Sequence, residues 1–163
     1  MNYNIQYYIE PGTISDDIRS DIYFIGRDKG RVDQINNIKK IANENRLLCD
    51  FNILRDNDNK IIPYKEIKNK IKSTKCILEI NKDNQIGLTL RALEGLFFEK
   101  KLITNNKSIK EIDFYNKNNI FVIGEDNWKD LSDFVNDPYD ISVNIYKKEY
   151  ELERWINNFY DNN

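Results

Sequence analysis

Arg91 and Glu94 stand three residues apart in Leu88-Thr-Leu-Arg-Ala-Leu-Glu94-Gly-Leu-Phe-Phe98, a spacing that makes them neighbours on one face of a helix. An arginine offers a planar fork to a phosphate, and a glutamate accepts hydrogen bonds from a pair of ribose or sugar hydroxyls. As a surface ion pair the two would be worth at most ~0.5 kcal/mol. Leu88, Leu90, Leu93, Leu96 and Phe97 surround them, however, and a helix apolar all round is buried on both sides, where charges need a partner. Gly87 marks a close approach of backbone just upstream, and Thr89 offers an early-turn hydroxyl. A second group, Gly26-Arg-Asp-Lys-Gly-Arg31, sets three cations and two glycines before a helical pattern. That composition suits a pyrophosphate, with Arg27 and Arg31 as forks and Lys29 as a point charge. It is neither a phosphate-binding loop of the Walker kind nor a G-x-G-x-x-G, and a solvated basic turn has the same composition.

The chemistry open to such residues is bounded by composition. With no histidine among 163 residues, a histidine general base, a histidine-based triad and a histidine zinc site are all excluded. Lys and Arg number 25 against 27 Asp and Glu, so nothing attracts nucleic acid or an anionic membrane in general, and any phosphate site must be local. No Asp-x-Asp suggests a metal; Asp56-Asn-Asp58 reads as a solvated turn. Cys49 and Cys76 each edge an apolar run and read as buried thiols of a reducing cytoplasm. No apolar run approaches the ~20 residues that span a bilayer, and the start shows no leader pattern. The expected localisation is cytoplasmic.

These residues must be positioned by alternating elements. Asp21-Ile-Tyr-Phe-Ile-Gly26 reads as a strand, then Ile35, Ile38, Ile41 and Ala42 recur at helical spacing. Leu47 to Ile53 reads as a second strand, and Pro63 opens a short helix carrying Tyr64, Ile67 and Ile71. Lys75 to Ile80, the helix over 88–98, the strand Lys101 to Thr104 and the strand Asn119 to Gly124 follow. Asn127 can cap a helix through Trp128, Leu131, Phe134 and Val135. Leu152, Trp155, Ile156 and Phe159 form the stripe of a last helix laid on a core. Strands alternating with helices pair in parallel through right-handed crossovers. The expected fold is therefore α/β, a Rossmann-like doubly wound, mostly parallel sheet spanning 21–163, with residues 1–20 as an arm or linker remnant. Ligands of such sheets bind beyond the carboxyl ends of the strands.

The segment Thr-Leu-Arg-Ala-Leu-Glu-Gly-Leu-Phe-Phe-Glu-Lys-Lys-Leu-Ile-Thr-Asn resembles the donor-site segment of GT-B glycosyltransferases of the bacterial capsule, lipopolysaccharide and spore-coat kind. The strand and basic loop at 21–31 and the stretch Asp113-Phe-Tyr-Asn-Lys-Asn-Asn-Ile-Phe-Val-Ile123 are similar to blocks of the same C-terminal lobe, so the resemblance covers about residues 20 to 136. It implies a nucleotide-sugar donor, with Glu94 on ribose or sugar hydroxyls, Arg91 with Arg27, Lys29 or Arg31 on the diphosphate, and Gly87 and Thr89 at the sugar-phosphate end. It implies no cofactor beyond that substrate. Two departures matter. Ile86 stands where many retaining members carry an earlier glutamate, so stereochemistry is unassigned, and Glu99-Lys100 replaces a turn glycine. The resemblance covers one lobe of a two-lobe enzyme, which implies a separate N-terminal acceptor lobe or a homodimer, membrane contact only through such a partner, and donor binding as a safer expectation than transfer. No residue is an obvious catalytic base.

Two other classes fit the same residues. One is a small nucleotide-binding or interaction module of the flavodoxin or TIR type, with the basic loop on phosphate and Glu94 a surface carboxylate. The other is a structural domain that dimerises through the Tyr-rich arm and the Trp155 helix.

Overall fold

The computed structural model describes residues 17–82 and 87–151. Among them five strands form one sheet in the order β2-β1-β3-β4-β5, every neighbouring pair parallel. The strands are β1 (Ser20–Arg27), β2 (Cys49–Leu54), β3 (Thr74–Glu79), β4 (Lys101–Thr104) and β5 (Ile120–Val122). Between them lie α1 (Val32–Glu44), α2 (Tyr64–Lys72) and α3 (Leu90–Phe97), and α4 (Leu131–Asn136) follows β5. The sheet is thus the doubly wound parallel one expected. All five strands fall within about two residues of the expected positions, because each is an apolar run closed by polar or glycine residues. The last helix expected over 152–159 and most of the N-terminal arm lie outside the described residues.

Alternation along the strands splits the core in two. Ile22, Phe24, Cys76, Leu78, Ile103 and Phe121 face α1 and α4, whose Ile35, Ile38, Ala42, Leu131 and Val135 cover them. Tyr23, Ile77, Leu102, Ile120 and Val122 face the other way, under Ile71 of α2 and Ala92, Leu93, Leu96 and Phe97 of α3. A 3-10 segment, Ile141–Tyr150, lays Val143 and Tyr146 against this second layer.

Asn127 caps a short 3-10 turn, accepting from Lys129 N, and that turn leads into α4. Glu99 takes φ +52°, the left-handed conformation that usually goes to glycine, and its carboxylate accepts from Asn144 Nδ2 at 2.8 Å and Lys147 Nζ at 2.9 Å. The charge gives the left-handed turn a tie to the 3-10 segment. No helix of the described residues is long and apolar enough to cross a membrane.

Candidate functional site

In this strand order the chain leaves β1 toward one neighbour and returns to the sheet on its other side as β3, which makes the β1/β3 boundary the switch point where a crevice opens. α1 and α3 then start from its two lips, on opposite faces of the sheet. The two residue groups that the sequence marks as candidates therefore lie on the two sides of this switch point.

On the first lip, the basic loop is held by its own cations. Arg27 Nη1 donates to the carbonyls of Arg55, Asp56 and Asp58 at 2.9–3.2 Å, tying the β2–α2 loop to the end of β1. Arg31 donates to Arg27 O at 2.5 Å and Asp28 O at 3.1 Å, and its other fork nitrogen reaches Ile80 O. One guanidinium thus bridges the ends of β1 and β3 across the switch point. Asp28 Oδ1 accepts from Arg31 N and Val32 N at 3.0 Å, so a carboxylate already occupies the positive end of α1. Lys29, held at φ +48° with its amide on Asp56, is the one cation of the loop whose side chain makes no hydrogen bond with the described residues.

On the second lip, Thr89 caps α3 by accepting from Ala92 N at 3.2 Å. Gly87 sits at φ +106°, a left-handed turn that a side chain would strain. Its carbonyl accepts from Asn106 Nδ2 at 3.0 Å. Arg91 and Glu94 form the expected pair, Nη1 to Oε2. It is not a surface pair: the Glu94 side chain is fully buried and that of Arg91 is 20% exposed. The second carboxylate oxygen, Oε1, has no partner among the described residues. Burial raises the Glu94 pKa, and the charge and hydrogen bond of Arg91, then Tyr64, act against that rise. Tyr64, on the first turn of α2, has its own pKa raised by burial and next by the Glu94 charge.

A second carboxylate lies beneath them. Glu79 ends β3 with 4% of its surface exposed. It accepts from the Thr89 hydroxyl and, at 2.7 Å, from the Thr104 hydroxyl at the end of β4. Burial raises its pKa; the two hydroxyls and Arg91 oppose this, and the Glu94 charge adds to it. Thr104 Oγ1 also accepts from Asn106 N at 3.0 Å, and Asn105 clamps both the N–H and the carbonyl of Asn81 at 2.7 and 3.0 Å. Asn81 Nδ2 is a second buried polar atom without a partner among the described residues. No hydrogen bond or ion pair joins Arg91 or Glu94 to Arg27, Lys29 or Arg31.

Glu79, Thr104, Asn105, Asn106 and Tyr64 are the members the sequence reading did not pick out. Glu79 carried a usable signal. A parallel inner strand is buried on both faces and reads as a continuous apolar run, so a glutamate within Cys-Ile-Leu-Glu-Ile needs donors from elsewhere. Among the described residues, no three His, Cys, Asp or Glu side chains converge to hold a metal ion. Compared with protein-family models, curated proteins and solved structures, the chain gives no match.

Proposed function

We propose that this chain is a nucleotide-sugar-binding lobe that works with a second lobe, or a second copy, in glycosyl transfer to a surface polysaccharide or glycoconjugate on the cytoplasmic side. The observation that carries the reading is Glu94: a fully buried carboxylate with one oxygen that has no partner among the described residues, beside a partly exposed guanidinium, on the α3 lip of the switch crevice. In this reading Glu94 Oε1 accepts from ribose or sugar hydroxyls, and Arg91 turns its exposed edge to the diphosphate. Lys29 supplies the second cation from the opposite lip, while Arg27 and Arg31 hold the loop that presents it.

The test is calorimetric titration with UDP-, GDP-, CMP- and dTDP-sugars. One of them is expected to bind, at least tenfold more weakly to Glu94→Gln, since losing a charged hydrogen bond costs about 1.5–3 kcal/mol. Binding by none, or binding indifferent to the substitution, refutes the proposal.

The strand order supports a second reading. The order 2-1-3-4-5 is that of flavodoxin-like sheets, and it is also what remains of the six-stranded 3-2-1-4-5-6 order when the outermost strand is removed. An NAD-consuming module built on the first of these would lose activity in Glu94→Gln and show no affinity for nucleotide sugars.

A further inference from the structure

Two carboxyls and one guanidinium are buried together under the first turns of α3. Glu94 Oε2 accepts from Arg91 Nη1, so the one positive charge in direct contact is committed to it. Glu79 has hydroxyl partners alone, from Thr89 and Thr104. A hydroxyl both donates and accepts, so these partners serve Glu79 in either ionisation state. Among the described residues the other groups that act on the cluster are Tyr64 from α2 and Tyr23 from β1, both neutral at physiological pH. Two buried carboxylates facing a single cation leave one negative charge uncompensated, and such a pair retains a proton.

We propose that Glu79 and Glu94 form a coupled carboxyl pair that holds one proton at neutral pH, resting chiefly on Glu79. Glu79 then acts as a positioning residue: un-ionised, it sets no second negative charge beside Glu94, and its hydroxyl bonds fix the start of α3 to the end of β4.

Infrared spectroscopy of the ligand-free protein at pH 7 decides the resting state. The carbonyl stretch of an un-ionised carboxyl is expected in the native chain. It should vanish in Glu79→Gln, where Glu94 stays ionised on Arg91, and in Glu94→Gln, where the released Arg91 charge ionises Glu79. Absence of the band from the native protein overturns the proposal whether or not the variants fold; a band that survives in either folded variant overturns it too.

Discussion

Replacing Arg91 by methionine keeps most of the aliphatic stem and removes the charge that Glu94 leans on. The buried carboxylate then either stays ionised without a counter-ion or takes a proton, and it follows the cheaper course. Protonation sets a ceiling. From the ordinary carboxyl value of 4.5, holding a proton at pH 7 spans about 2.5 units at about 1.36 kcal/mol each, or about 3.4 kcal/mol. Burial already raises the Glu94 pKa in the native protein, so part of that is present before the substitution. Arg91→Met is therefore expected to lose about 2–3 kcal/mol at pH 7. At pH 5 the ceiling falls to about 0.7 kcal/mol, and the loss should shrink to less than about 1 kcal/mol. Urea unfolding at the two pH values, analysed by linear extrapolation, measures both figures. The double variant Arg91→Met, Glu94→Gln should recover most of the pH 7 loss, since no buried charge remains. A loss equal at pH 7 and pH 5, or a double variant no better than the single, would show that Arg91 matters through packing and that Glu94 is not the buried charge assumed.

Two more outcomes follow from the same network. Thr104→Val strips a donor from Glu79 and an acceptor from Asn106 N in a fully buried place, so it should cost about 1–3 kcal/mol, whereas Thr104→Ser keeps the hydroxyl and should cost less than half as much by the same unfolding measurement. Asp28→Ala removes the carboxylate that caps α1 on Arg31 N and Val32 N and should lower stability by about 0.5–2 kcal/mol; an unchanged midpoint would mean that the cap is idle.

What could be read from residues alone was what local pattern determines. Apolar runs closed by glycine or polar residues placed the strands, and the absence of a polar face on the 88–98 stretch announced that Glu94 would be buried. The basic loop was read less well because its partners are remote in sequence. Arg27 meets carbonyls 28 to 31 residues away, and Arg31 meets Ile80 O, 49 residues away. Three cations before a helix look like a phosphate cradle when their acceptors are not yet known. The intervening Asp28 was a fair counter-signal, since an aspartate shortly before a helix is a cap that competes with any incoming anion. Tyr64 escaped notice because its nearness to Glu94 depends on α2 and α3 sharing a face. The Ile141–Tyr150 segment escaped because a 3-10 run has neither the helical nor the strand period.

The strand order bears on why binding and transfer separate in the proposed function. A sixth strand in the six-stranded order would lie beyond β2, two positions from the β1/β3 boundary, so the five strands of the described residues carry both lips of the crevice. Arg31 closes the floor between the strand ends, the Glu79 hydroxyl bonds lock the α3 lip, and Glu94 and Arg91 line it. Each of these rests on contacts within the described residues and needs no second lobe. A transfer reaction adds a requirement: a base within about 3 Å of an acceptor hydroxyl. Among the described residues the carboxylates nearest the crevice are committed, Asp28 to the α1 cap, Asp56 to Lys29 N, and Glu79 and Glu94 to the buried pair. In the proposed assembly the base comes from across the open side of the crevice, where the acceptor lobe belongs. Adding that lobe should leave nucleotide-sugar affinity within about threefold of the isolated chain while creating turnover, whereas an affinity that appears only with the second lobe would mean that the α3 lip is not the donor site.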